Sequence, residues 1–299
     1  MALKQTTLHV DRDKLETIDK DLLHNLIKAA EALDKAFLKQ SYAENPTILE
    51  QLEAKGDQEL LERFWHNYGP FDRIRDDKPF LPGYEKPPGG GFYPEDLTKK
   101  EFEEWVAEHP EDKEAFESPT TIIRREEGKL VAIPYSEAYK DELEEASRHL
   151  EEAARHANNE SLRDYLEKMA HALVTDEYEE ADVAWLHLDS DVEVTIGPYE
   201  TYEDKLLGIK TAFEATIGLV DQEETDKLKH LEGRRGAMEE QLPLDEEYEK
   251  AGSRSPITIC NLLRSSGDMR AGMHYTAFNL PNDEKLRAKH GSKNVMVKN

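Results

Sequence analysis

Hydrophobic positions along the chain fall first into helical spacing. Leu15, Ile18, Leu22, Leu26, Leu33 and Phe37 recur every turn from about 12 to 40, with charge on the opposite face, and predict a long amphipathic helix. A second helix, about 46–66, has Pro46 in its first turn and carries Leu49, Leu52, Leu60, Leu61 and Phe64. The pattern then stops. Residues 69–96, "GPFDRIRDDKPFLPGYEKPPGGGFYPED", crowd proline and glycine but also hold Phe71, Phe80, Tyr84, Phe92 and Tyr93. A linker lacks such aromatics, so a long ordered loop pinned to the body is expected, either functional or plain cladding.

"TKKEFEEW" gives Thr98 and Glu101 the spacing of a capping box, opening a helix to about 108. "TTIIRREEGKLVAIPY" alternates as a hairpin with its turn at Glu127-Gly128. Helices follow at 136–157, 159–174 and 177–186. "TIGPYETYED" (195–204) reads as a strand ending in a glycine-proline break, followed by a helix from about 205 to 219 and a charged helical stretch reaching 241. "PITICNLL" and "MHYTAFNL" are β-type runs, and a short helix near 283–290 precedes "KNVMVKN". Helices outweigh strands and do not alternate regularly with them. The class is α+β, mostly helical around a small mixed or barrel-like β-sheet.

Charge narrows the partners. With 39 basic and 65 acidic residues in 299, the formal net charge is −26, which repels phosphate backbones and argues against nucleic acid. The excess acid could suit a cationic ligand, but a solubility adaptation is the commoner reason for it. No run approaches a membrane span, and "MALKQTTLHVDRDK" has no apolar signal core. The single Cys260, in "ITICNLL", excludes an internal disulfide and fits inert strand packing in a reducing compartment. A soluble, cytoplasmic protein is expected.

Motifs for chemistry are sparse. None of the eleven histidines stands in an HExxH, and His149 and His156 in "HLEEAARH" lie two turns apart on an acidic helix face. The chain has no GxxxxGK[ST], strand-linked GxGxxG or GxSxG, and "PPGGGFYP" lacks the lysine and helix start of a phosphate cradle. By composition and motif alone, no self-sufficient catalytic centre is present.

Two stretches do suit binding. Strand alternation places Glu200 and Tyr202 on one face, with Tyr199 and Thr201 on the other. A carboxylate beside a phenol suits an ammonium and a peptide carbonyl. In "TAFNLPNDEK", Asn279 and Asn282 flank Leu280-Pro281, where proline stiffens the segment. Carboxamides donate and accept as an extended peptide backbone requires, although Asn282-Asp283 could equally cap the next helix.

"NYGPFDR", "KPPGGGFYPEDLTKKEFE", "TTIIRREEGKLVAIPYSEAY", "IGPYETYEDKLLGIKTAFEA" and "NLPNDEKLRAKHGSKNVMVKN" together resemble the dipeptidyl peptidase III family of zinc exopeptidases, bacterial branch, in order from about residue 60 onward. The resemblance implies a two-lobed enzyme: a helical lobe holding zinc through HExxGH and EExxAE motifs, and a lower, substrate-binding lobe with a β-barrel core. The chain carries neither motif up to Asn299, so it is expected to be the substrate-binding lobe alone (1–299), truncated before the zinc lobe, with no metal or catalytic residue of its own. Within it, 1–118 would be helical and 119–299 the β-containing core. Glu200, Asn279 and Asn282 would hold the free amino terminus of an oligopeptide, and Tyr202 would bond the peptide near the cut. Glu203 and Asp204 are expected to cap the following helix. The implied partners are the oligopeptide and a missing carboxy-terminal zinc lobe. The alternative is a non-catalytic peptide-binding or regulatory module.

Overall fold

The computed structural model describes residues 7–239, 241, 243 and 255–299. The sequence before Leu8, apart from Thr7, lies outside them, and so does residue 240 in the charged stretch expected to reach 241.

The long amino-terminal helix is two. α1 (Arg12–Thr17) ends at Ile18, whose backbone is extended, and α2 (Lys20–Ser41) restarts on Asp19, whose carboxylate accepts from the N–H groups of Asp21 and Leu22 at 2.8 and 3.1 Å. α2 buries the predicted stripe Leu22, Leu26, Leu33 and Phe37. The second predicted helix also splits, into α3 (Asn45–Lys55) and α4 (Gln58–Asn67). Gly56 takes a left-handed φ of 69°, which ends α3, and Asp57 caps the start of α4.

The Pro/Gly-rich loop is ordered. It holds β1 (Phe71–Asp72), β2 (Lys78–Pro79) and one 3-10 turn, and it buries Phe71, Phe92 and Tyr93. Its glycines serve close approach: Gly91 N–H donates to Gln40 O at 2.7 Å, and a Cβ at Gly91 would lie 2.0 Å from Lys39 O. After α5 (Lys99–Glu108) and α6 (Lys113–Glu117) comes the hairpin β3 (Thr121–Glu126) and β4 (Lys129–Pro134). Its turn residues Glu127 and Gly128 both have positive φ, as a two-residue primed turn demands. α7 (Tyr135–Ala138), α8 (Lys140–His156), α9 (Glu160–Thr175) and α10 (Glu179–Leu186) follow, with α8 packed between α2 and α9.

The main sheet comprises β5 (Val192–Glu200), β6 (Ala212–Val220), β7 (Ile257–Gly267), β8 (Ala277–Leu280) and β9 (Lys293–Val297). α11 (Gln222–Glu239) precedes β7, and α12 (Glu284–His290) joins β8 to β9. The spatial order is β5-β6-β7-β9-β8, antiparallel except for β7 with β9. Two expectations are corrected here. The segment read as a helix from 205 to 219 is a turn followed by β6, because its apolar run is buried on both faces and periodicity alone cannot tell such a strand from a helix. β5 does not break at Gly197-Pro198. It runs through to Glu200, absorbing the irregularity as a bulge between Pro198 and Glu200.

Register gives the sheet two unlike faces. Val194, Ile196, Phe213, Ala215 and Ile217 form the apolar one, backed by α2 and α9. The other carries Glu193, Thr195, Glu214, Thr216 and Ser265, all buried. The sheet curls over this polar face. Lys293 Nζ on β9 reaches Glu193 on β5 at 2.9 Å, although β6 and β7 lie between them in the sheet. The result is a mixed, barrel-like sheet wrapped by helices.

Candidate functional site

Glu200 closes β5 and pairs with Ala212, which puts its carboxylate on the polar face of the sheet, one row from Glu214. Tyr202 lies past the strand end, in a turn, so strand alternation does not place it. It nevertheless stands beside Glu200, whose negative charge is the main cause pushing its phenol pKa up. The Tyr202 ring is largely exposed and packs against Tyr275 with centroids 5.7 Å apart. Asn282 donates from Nδ2 to Tyr199 O at 2.9 Å, tying the segment after β8 to β5. Of the Asn282-Asp283 pair, Asp283 is the cap of α12, accepting from Leu286 N–H at 2.8 Å. Glu200, Tyr202 and Asn282 thus line one open cleft of about 980 Å³, with Asp182, Tyr199 and Lys289 among its other walls.

Asn279 is not among those walls. It pairs with Asn294 across β8 and β9, and its Nδ2 lies 3.0 Å from Asn294 Oδ1 and 3.2 Å from the hydroxyls of Ser255 and Ser292. Alternation along β9 sets it on the sheet face opposite Lys293. Between the two asparagines the Leu280–Pro281 peptide bond is cis. Among the described residues β8 ends the sheet order, with β9 as its neighbour on one side, the position of an edge strand.

Glu203 and Asp204 do not cap a helix, since a turn leading into β6 comes after them. Glu203 is buried between Arg73, whose Nη1 lies 2.6 Å from Oε2, and Lys86. Burial alone would raise its pKa, but the charges of Arg73 and Lys86 hold it down at about 2. Asp204 accepts from the N–H groups of Leu206, Leu207, Ile209 and Lys210, and from Tyr93 OH at 2.7 Å. It organises the turn into β6.

Three acids around the cleft escaped the sequence reading. Glu214 is fully buried on β6, neither carboxylate oxygen has a hydrogen-bond partner, and burial followed by the charge of Asp268 drives its pKa well up. Asp268, just after β7, is pushed up to about 7 by burial and then by Glu203. Asp182 on α10 is likewise raised to about 7 by burial, with Asp283 adding. For Glu214 there was a signal: one charge inside "TAFEATIGLV" cannot be neutral to the burial of that run.

Cys260 is buried in β7 and its thiol is pushed up to about 12 by burial, as inert packing requires. Among the described residues, the grouping whose ligand atoms could converge on a metal is Asp19, Asp21 and His156, at the amino-terminal end of α2 and outside the cleft lining. No helix among them is long and apolar enough to cross a membrane.

The family model of peptidase family M49 matches residues 95–299. Among solved structures, dipeptidyl peptidase III of Caldithrix abyssi is similar at TM-score 0.89 and 47% identity, over 96% of this chain and 55% of that one. Dipeptidyl-peptidase III of Corallococcus sp. strain EGB is similar at TM-score 0.90 and 39% identity, over 98% and 56%. Nudix hydrolase 3 of Arabidopsis thaliana is 32% identical over 98% of this chain and 45% of its own length. The chain therefore spans about half the length of the relatives it matches.

Proposed function

Because the chain belongs to peptidase family M49, we propose that it supplies the substrate-binding part of a zinc-dependent dipeptidyl aminopeptidase, which removes dipeptides from the amino terminus of oligopeptides. The observation that carries this reading is the convergence of Glu200, Tyr202 and Asn282 on one cleft. The two solved relatives, both dipeptidyl peptidases III, support it.

In this reading an oligopeptide lies extended along the cleft, its main chain pairing with a strand edge, which fixes register and tolerates many side chains. Glu200 takes the free ammonium in a charge-assisted bond. An anion that counts off two residues must sit about 7 Å of extended chain from the cut, and Tyr202, just beyond Glu200, would bond the peptide there. Asn282, tied to β5 through Tyr199 O, contributes its carboxamide beside them. Asn279 acts one step removed, knitting β8 to β9 so that the edge and Asn282 stay in place.

Zinc does not fit the residues of this cleft. The sequence holds no HExxGH, and Asp19, Asp21 and His156 lie on a different part of the surface, so no chemical step is assigned to this chain. Its own residues bind and orient the peptide. Isothermal titration with tetra-alanine and its N-acetyl form tests the proposal. The free peptide should bind, acetylation should weaken it, and Glu200→Gln should cost about 10- to 100-fold in affinity, the range of one charge-assisted contact. Equal affinity for free and blocked peptides would remove the basis for the reading.

A further inference from the structure

Lys210, two residues before β6, is fully buried, and among the described residues it bonds no carboxylate. Its Nζ donates instead to Phe116 O at 2.7 Å, Ser118 O at 2.7 Å and Thr121 Oγ1 at 2.8 Å. The threonine oxygen can only accept here, because its own hydrogen goes to Ala115 O at 2.7 Å. Three acceptors need three hydrogens. An ammonium has them, and a neutral amine has two.

These bonds fall where one wall of the cleft is made. Ser118, Pro119 and Thr120 line it, and so does Thr211. Thr211 N–H and Oγ1 both donate to Pro119 O at 3.0 Å, and the next residue, Ala212, pairs with Glu200. The wall and the strand end that carries Glu200 are therefore joined through two consecutive residues, Lys210 and Thr211.

A buried cation without an anion is a costly fastening. Burial pulls the Lys210 pKa down to about 7, against the charge of Asp204, which is itself bonded to Tyr93 OH. An apolar side chain would fill the same space without that cost. What it could not do is hold two carbonyls and a hydroxyl in fixed directions.

We propose that Lys210 is a positioning residue for peptide binding: as an ammonium it holds the wall 118–120 in place relative to Glu200, so that the cleft is formed before a peptide arrives. This rests on the peptide-binding reading above. Lys210 touches no peptide and acts through the wall, by sparing the bound state the ordering of that segment.

Hydrogen exchange and titration with tetra-alanine test it together. Lys210→Met keeps the length of the side chain and removes its donors. Exchange at Thr211 N–H should accelerate about tenfold, while Ala215 and Ile217, inside β6, stay protected. Tetra-alanine affinity should fall about tenfold near pH 6. Near pH 8.5 the unmodified protein has itself lost one of the three bonds, so the ratio of its affinity to that of the variant should shrink. The ratio cancels the titration of the peptide's own amino terminus. Thr121→Val, which removes one acceptor, should give a smaller loss, and Thr121→Ser, which keeps the hydroxyl, should give none.

Faster exchange at Thr211 with unchanged affinity in Lys210→Met and Thr121→Val would overturn the proposal, and so would an affinity ratio that does not move with pH. If Lys210→Met lost protection along all of β6, the affinity of Thr121→Val would decide alone. Failure of the unmodified protein to bind tetra-alanine would remove the peptide-binding reading and the positioning role with it. Binding that ignores the variants would remove the positioning role only.

Discussion

Glu203 and Asp204 stand three and four residues after Glu200, and Glu214 and Asp268 lie nearby in the fold, yet the molecule treats the two pairs of acids in opposite ways. Glu203 is clasped by Arg73 and Lys86, and Asp204 collects four backbone N–H groups and a phenol. Glu214, on the sheet face that also carries Glu200, and Asp268, just after β7, are equally buried but have oxygens with no partner. One acidic region is wired for stability. The other holds buried acids without donors, whose pKa values burial raises, the arrangement expected where something other than folding sets the residue.

The sharpest way to break this contrast is Asp204→Ala. It would strand the Tyr93 hydroxyl and four amides inside the turn that feeds β6, so a loss of about 3–5 kcal/mol is expected in urea unfolding. A cost under about 1 kcal/mol would mean that the turn holds without its acid. Acid titration should tell the same story for Glu203. Its folded pKa, about 2, lies below its usual value of 4.5, so its contribution is present above that value and is lost as pH falls toward 2.

The unpartnered region has the reverse sign. Asp268 has a folded pKa of about 7 against 3.8, so its contribution to stability is complete below 3.8 and is lost as pH rises through 7. Asp268→Asn should remove up to about 1.4 kcal/mol of stability loss per pH unit across that window. The variant should then match the parent near pH 4 and exceed it at pH 8. Parallel stability curves for the two proteins would show that Asp268 has a partner in solution.

How far the sequence carried depended on whether the deciding interactions were local. Thr98, Glu127-Gly128 and the stripe on α2 act within a turn or two of themselves, and a helix, its cap and the hairpin were legible from them. The breaks at Asp19 and at Gly56-Asp57 were passed over because the apolar spacing runs on across them. β6 was misread because its identity rests on pairing with β5 and β7, and a run buried on both faces has no period to betray it. The fate of Glu203 was equally hidden, since its partner Arg73 is 130 positions away in the chain. At the cleft, Glu200 and Asn282 were visible through motif resemblance. Asp182 and Asp268 were not, because a surface acid and a buried one look alike until the fold removes water from one of them.

The two asparagines extend the comparison at the smallest scale. Asn282 lines the cleft and bonds Tyr199 O at 2.9 Å, whereas Asn279 is engaged with Ser255, Ser292 and Asn294. Asn282→Ala should therefore weaken peptide binding by about 3- to 10-fold while costing about 1 kcal/mol of stability or less, the value of one carboxamide bond. Asn279→Ala should invert the pattern, with a stability loss of about 1–2 kcal/mol for a partly buried knot and a smaller change in affinity. Titration and urea unfolding on both variants decide the matter. If Asn279→Ala lowered affinity as much as Asn282→Ala at unchanged stability, its carboxamide would have to turn from the sheet toward the peptide, and the division between wired and site-facing groups would move by one strand.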